Sequence, residues 1–556
     1  MNSFEKIKSV LENLAERAGA DFSLDIPESS EHGDYATNIA FILSKQKGIS
    51  PKSCADNLIV ELQTKLADIV EKIEVAGAGF INFYLKDEIR TNEALNKDLS
   101  LNILNGKKVI CEYTDPNPFK LFHIGHLVPN AIGEAISRIY ESVGADVTRI
   151  CYQGDAGMHV ATTLWGIKNM GEGFPKENIS LNEKVAFLGR AYAYGTKQIE
   201  DNADVKNEII KINKSIFAGE KNDIYDIGKK WSLDYFETIY QRLGSKFDYY
   251  IFESEVSSIG KELVLKNVPE VFEESEGAIV YKGEKVGLHT RVFINKEGLP
   301  TYEAKELGNA IQKEKLVPNN DISIIVTANE INEYFKVVKS ALGEIDKNLS
   351  NRIKHISHGM LRLPEGKMSS RTGNVISTEE LIEEVKEKLK DKFEKARIEG
   401  KEKEQLINDV AVAAVKFSIL KIAPGKDIIF DIDKSISFEG DSGPYLQYTY
   451  ARLTQLILKC ENAKIVNEKV ESEKELEKLI NNFSNILERT YKENAPQHMV
   501  VYLTQLTRAF NTFYGKERII SEDNMVNKYH LDLCNVIKNV LQKGLYILGI
   551  VAPSEM

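Results

Sequence analysis

Apolar residues recur along most of this chain at helical spacing, interrupted by a smaller number of short β-branched runs. Phe4, Ile7, Val10, Leu11 and Leu14 open it as an amphipathic helix, and Ile81-Asn-Phe-Tyr-Leu85 closes the first stretch as a strand, with a Gly/Asp-rich turn around Gly33 between them. Lys108-Val-Ile-Cys-Glu-Tyr-Thr114 predicts a strand bounded by Pro116 and Pro118, and Ile132, Ala135, Ile136, Ile139 and Tyr140 predict a helix directly after it. Residues 146–152 predict the next strand, 278–287 a hairpin turning at Lys282-Gly283, and the continuously apolar Ile322-Ser-Ile-Ile-Val326 a parallel strand covered on both faces. Charges alternate through 170–265 with little strand signal, which predicts a helical insertion. Ser377-Thr-Glu-Glu380 is a capping-box signature, 381–405 a charged, solvated helical stem, and the remainder a helix bundle with amphipathic runs at 453–458, 476–486 and 531–545.

Alternating strands and helices imply an α/β body with a parallel sheet and right-handed crossovers. Three regions follow: a small α/β domain over 1–98, the parallel-sheet body over 99–380 with its insertion around 170–265, and the stem and helical bundle over 381–556. At 556 residues and 42% hydrophobic, the chain exceeds a single core. No apolar run approaches a membrane span and the start lacks the pattern of a signal peptide, so a cytosolic enzyme is expected. Five cysteines without a C-x-x-C pair argue against a disulfide framework and a zinc site; no metal ligands are expected from the protein. A net charge of −11 fits poorly with a nucleic-acid partner. Arg352, Lys354, His355, His358 and Arg362 nevertheless cluster locally, as either a solvated surface or a contact for RNA.

Candidate chemistry concentrates in Asp115-Pro-Asn-Pro-Phe-Lys-Leu-Phe-His123-Ile-Gly125-His126. Two histidines three apart at the start of a helix share one face, where unpaired backbone N–H groups and the positive dipole end favour phosphate. Gly125 between them lets a ligand ring lie against bare backbone.

The run His123-Ile-Gly-His126 resembles the HIGH motif of class I aminoacyl-tRNA synthetases, and Lys367-Met-Ser-Ser-Arg371, about 240 residues downstream, resembles their KMSKS loop. Glu31-His-Gly-Asp34-Tyr35-Ala-Thr-Asn38 with Val75-Ala-Gly-Ala-Gly-Phe80-Ile-Asn82-Phe is similar to the extra N-terminal domain of arginyl-tRNA synthetases, and Gly440 to Arg452 resembles the start of their helical anticodon-binding domain. The resemblance implies a Rossmann-like catalytic domain, ATP with its Mg²⁺, L-arginine and the cognate tRNA as partners, and activation of arginine that depends on tRNA. A monomer is expected.

Carried over residue by residue, the resemblance assigns triphosphate oxygens to His123 and His126, the adenine platform to Gly125, a second base contact to Met360, and charge stabilisation to Lys367. It assigns arginine to Glu112, Asn117, Tyr302 and Glu306, and the turn Gln153-Gly154-Asp155-Ala-Gly157 to the pocket wall. A guanidinium needs a fixed, preferably bidentate anionic partner, which suits the carboxylates. Tyr35 and Asn38 would face the tRNA elbow, and Tyr445, Tyr448 and Arg452 its anticodon; Tyr450 joins them as a stacking residue or as core rim.

Three departures from the pattern stand out. Glu306 occupies an aspartate position, no contact is assigned to Asn329 or Glu330 where many members carry glutamine, and Ser370 replaces the second loop lysine. Lys120, or alternatively Arg371, supplies the missing cation. A class I synthetase for another amino acid and a non-catalytic tRNA-binding paralogue both remain open at this level.

Overall fold

A computed structural model describes residues 2–16, 21–27, 30–364, 376–394 and 398–556. Its first core is closed on itself. The helix Ser3–Ala15, started by an Asn2/Glu5 capping box, packs with Ile39–Lys47 and Pro51–Lys65 on an antiparallel sheet ordered Leu24–Asp25, Tyr35–Thr37, Phe80–Leu85, Val70–Ala76. Gly33 has φ +85°, and a Cβ there would lie 2.6 Å from the Phe83 carbonyl oxygen, so this turn admits only glycine.

The body is a five-stranded, wholly parallel sheet ordered Ile353–His358, Ile322–Ala328, Lys108–Glu112, Asp146–Gln153, Tyr249–Phe252. The strand order reverses direction beside Lys108–Glu112, so a crevice opens at the carboxyl ends of that strand and of Ile322–Ala328. Lys108–Glu112 stops two residues short of the expected strand because Thr114 and Asp115 turn to φ 84° and 47°. Asn130 Nδ2 donates to Thr114 Oγ1 (3.0 Å) and the Tyr152 N–H to Asp115 Oδ1 (2.9 Å), which pins this unusual backbone.

Three expectations need correction. The stretch 170–265 is not uniformly helical: helices Leu181–Asp201, Ala203–Phe217 and Asp223–Leu243 are followed by Tyr249–Phe252, the sheet's edge strand, whose four residues are too few to carry a period. The hairpin does not turn at Lys282-Gly283. Glu273–Ser275 and Ala278–Tyr281 turn at Glu276-Gly277, both at positive φ, and Ala278–Tyr281 then pairs with Arg291–Ile294. Gly283 instead serves close approach, since a Cβ there would lie 2.6 Å from the His289 carbonyl oxygen. The stem is solvated on one face only: Thr378–Lys390, capped by Ser377 and Glu380 as expected, exposes Glu383, Glu387, Lys388 and Lys390 but fully buries Leu381, Ile382, Val385 and Leu389.

Helices Gly443–Cys460, Lys474–Glu493, Gln497–Lys516 and Lys528–Ile547 form the C-terminal bundle. It shares one core with the body: Ile132, Ile136 and Ile139 of Ile124–Ser142 lie in the same apolar cluster as Val410, Phe417, Leu541 and Leu545. Buried Lys416 donates to the carbonyls of Leu243 (2.5 Å) and Gly549 (2.7 Å), tying the insertion, the stem and the end of the bundle together. No helix among the described residues is long and apolar enough to cross a membrane.

Candidate active site

The phosphate-binding candidate sits where the first crossover helix, Ile124–Ser142, begins. His123 is its N-cap in extended conformation; its Nδ1 accepts the Gly125 N–H (3.1 Å), and His126 Nδ1 accepts the His123 N–H (3.3 Å). The two rings stack 3.8 Å apart. Burial, helped by Lys120, holds both imidazoles below their ordinary pKa, His126 well below. A neutral ring whose Nδ1 accepts must carry its proton on Nε2, so each histidine has an Nε2–H left as a donor. A Cβ on Gly125 would lie 2.8 Å from His123 Cε1, so a side chain there would push that ring out of place.

Lys120 is half-buried, 5.3 Å from the Tyr192 ring of the insertion. It also adds to the effect of burial on His159, a third imidazole that sequence reasoning overlooked. His159 lies on the first turn of Met158–Asn169, its Nε2 is 2.9 Å from the Gly154 carbonyl oxygen, and burial pushes it down to about 4. Its position two residues past Gly157 was the available signal. Asp155 of the same turn is fully buried and accepts Tyr225 (2.8 Å), Lys229 (2.7 Å) and the Ser254 N–H (2.9 Å), so it braces the wall.

Across the crevice lies an acidic niche. Glu112, 1% exposed, accepts Asn309 Nδ2 and Lys313 Nζ on Oε2, each at 2.9 Å. Glu306 is half-buried on Tyr302–Leu316; burial and the charge of Glu112 push it up to about 8. Asp115 is raised well above the carboxylate range by burial and then by Glu112. Glu253, raised by burial, pairs with Lys305 at 2.9 Å. Four carboxyl groups thus face two lysines, with Asp115 and Glu306 driven toward their neutral forms, and a cationic ligand would favour their return to carboxylates. Tyr302 is 65% exposed at the rim, its ring 4.7 Å from Lys305 Nζ. Asn117 Oδ1 fills the space a Cβ on Gly154 would need, 2.4 Å away.

Met360 has an exposed side chain, and its backbone is clamped by Asp427 (2.9 Å) and Ile428 (2.8 Å). Lys367, Ser370 and Arg371 lie outside the described residues. Beyond them the chain is anchored beside the histidines: the Ile124 N–H donates to the Ile376 carbonyl (3.2 Å) and the Thr378 N–H to that of Phe122 (3.0 Å).

The family described as tRNA synthetases class I (R), catalytic domain, matches residues 90–432; the arginyl tRNA synthetase N-terminal domain matches 4–85, and the DALR anticodon binding domain 446–556. The chain belongs to the arginyl-tRNA synthetase family. It is 30% identical to the arginine–tRNA ligase of Treponema denticola over 95% of this chain and 93% of that protein. It is likewise 30% identical to that of Fusobacterium nucleatum, over 96% and 95%. The fold matches the solved arginyl-tRNA synthetase of Thermus thermophilus with TM-score 0.82 and 24% identity, covering 100% of this chain and 99% of that one.

Within this family member the RNA-facing expectations divide. Tyr35 is 3% exposed, packs on Phe4 and bonds Ser3 through its hydroxyl (3.2 Å), so it is core and not a contact surface. Asn38 accepts the Ser23 N–H (2.8 Å) and fixes a local connection. Tyr450 is buried as well. Tyr445 and Tyr448 remain accessible: Arg452 donates to the Tyr448 hydroxyl (3.0 Å) and to Asn511 Oδ1 (3.1 Å), and Asn511 donates to the Tyr445 hydroxyl (3.0 Å). Tyr448 and Arg452 line both of two neighbouring grooves, of about 590 and 740 Å³, the first also lined by Lys459, Lys516 and Arg518. The basic cluster before the loop disperses: Arg352 pairs with Glu314 (2.9 Å) and Arg362 with Asp427 (3.1 Å). Burial keeps His355, at about 4, and His358 neutral.

Proposed function

We propose that the protein attaches L-arginine to its cognate tRNA in two steps. The arginine carboxylate attacks the α-phosphorus of ATP and pyrophosphate leaves; a terminal ribose hydroxyl of the tRNA then attacks the arginyl carbonyl and AMP leaves. The observation that carries this reading is the charge coupling that joins two clusters: Lys120 acts on the neutral imidazoles of His123 and His126 and on His159, and His159 in turn feels Lys305, which pairs with Glu253 in the acidic niche. The first suits triphosphate oxygens and the second a guanidinium.

In this reading His123 and His126 donate to phosphate oxygens, adenine lies on Gly125 with Met360 opposite, and Lys120 and Lys367 balance the charge that develops on the leaving pyrophosphate. Glu306 meets the guanidinium, while Glu112, Asn117 and Tyr302 orient the remainder of the amino acid. No covalent intermediate is required, so positioning and preorganised charge supply the rate. Mg²⁺ would arrive on the phosphates; among the described residues no group of three or more histidine, cysteine and acidic side chains is arranged to hold a metal. Tyr445, Tyr448 and Arg452 take the anticodon bases by stacking, supported by the basic rim of their grooves. The enzyme acts as a cytoplasmic monomer, with 1–98, 99–380 and 381–556 as its working regions.

ATP–pyrophosphate exchange with each of the twenty amino acids, with and without tRNA, tests the reading. Exchange with arginine, dependent on tRNA, is expected. Exchange with lysine or glutamate but not arginine refutes the assignment, and tRNA binding without exchange would favour a non-catalytic role.

A further inference from the structure

Lys313 is a charged group of the crevice to which the reading above gives no role. It lies two turns beyond Glu306 on Tyr302–Leu316 and is 3% exposed, with Nζ 2.9 Å from Glu112 Oε2. Asn309, between them on the same helical face, donates to that same oxygen at 2.9 Å, and its own Oδ1 has no partner. One helix therefore ties two side chains to the carboxylate that ends a strand of the sheet, while Glu306 on the same face repels it. A buried ion pair is weak evidence for stability, since desolvation offsets most of the attraction. Its effect on the neighbouring charges is larger. Asp115 and Glu306 face Glu112 directly, with Glu253, Lys305, Tyr152 and Tyr334 beyond them. Lys313 draws Asp115 and Glu306 back toward ionisation against burial and the charge of Glu112; without it both would hold their protons to still higher pH, and a guanidinium would meet less negative charge.

We propose that Lys313 is the positioning residue of the amino-acid pocket: together with Asn309 it tethers Glu112 Oε2 in one orientation, so that the carboxylate is preset for the cationic substrate. The inference rests on the reading of the niche as the arginine pocket. Lys313 does not touch substrate; it acts through Glu112, with Asn309 as the second tether.

Exchange kinetics of the full chain test it, and the wild-type arginine dependence, measured first, separates failure of the pocket reading from failure of the role for Lys313. Lys313→Met keeps the side-chain length and removes the charge. It is expected to raise KM for arginine about tenfold or more and to displace the pH dependence of that KM to higher pH, with KM for ATP unchanged. Lys313→Arg is expected to keep both within about threefold. Lys313→Met with wild-type arginine KM at every pH, or with equal rises for arginine and ATP, overturns the proposal. Should that variant not fold, Glu112→Gln/Lys313→Met, which removes both charges together, is compared with Glu112→Gln alone. Equal arginine KM supports action through Glu112, and a further loss of about tenfold overturns it.

Discussion

The charge states at His123, His126 and Glu306 decide what the crevice can hold. Neutral histidines at a helix start already bearing a positive dipole avoid mutual repulsion, and the cation demanded by a leaving pyrophosphate is left to Lys120, whose influence reaches three imidazoles. Lys120→Ala should lower the first-step rate about 10²-fold or more, read in single-turnover adenylate formation; an unchanged rate would make Lys120 a surface residue. Glu306 keeps its proton up to about pH 8, against an ordinary 4.5. The folded protein thus binds more protons than the unfolded chain across that window, and its stability falls as pH rises through it. A bound guanidinium favours the carboxylate, so KM for arginine should fall as pH climbs from about 6 to 8, and calorimetry in buffers of different ionisation enthalpy should register proton release. Glu306→Gln should flatten that slope and weaken arginine about tenfold or more. The histidine pair and Lys120 were legible because they lie within seven residues of each other. The pairing of Glu112 with Lys313 was not, since two hundred residues separate its partners. Tyr35 was misassigned because its motif describes a turn whose tyrosine faces inward.

At the scale of elements, the acidic niche depends on how closely two helices meet. A Cβ on Gly260 of Glu253–Lys266 would lie 1.9 Å from the Ala304 carbonyl oxygen, and one on Gly308 of Tyr302–Leu316 would lie 2.2 Å from that of Val256. These reciprocal glycines bring Glu253 against Lys305 and set the depth of Glu306. Gly308→Ala should push the helices apart, costing about 1–3 kcal/mol in chemical denaturation and raising KM for arginine more than KM for ATP. A variant of wild-type stability would show that the contact is slack. Long periodic elements were readable in advance, among them Ile124–Ser142 and the capped start of Thr378–Lys390. The edge strand Tyr249–Phe252 and the true hairpin turn were hidden, the first because four residues carry no period and the second because Gly283 answers a steric need unrelated to turning.

Across the whole molecule, the N-terminal domain is latched to the bundle by buried charge. Glu477, 0% exposed, accepts Arg90 (3.0 Å), Thr91 (2.6 Å) and Tyr529 (2.9 Å), while Lys97 reaches the Asn481 carbonyl (2.8 Å). Glu477→Ala should cost roughly 2–3 kcal/mol, on the low side for an orphaned buried charge because Asp87 stays on Arg90. An early calorimetric transition for the N-terminal domain would mark the loss, and a single unshifted melt would show that the latch is idle. The larger union is apolar. Because the histidine-bearing helix buries its flank in a cluster shared with Val410 and Leu541, a gene fragment encoding the sheet alone would emerge with that flank bare and precipitate. Dissection of this protein into a soluble minimal enzyme and a separate adaptor is therefore closed off, and any truncation series must keep the last helix.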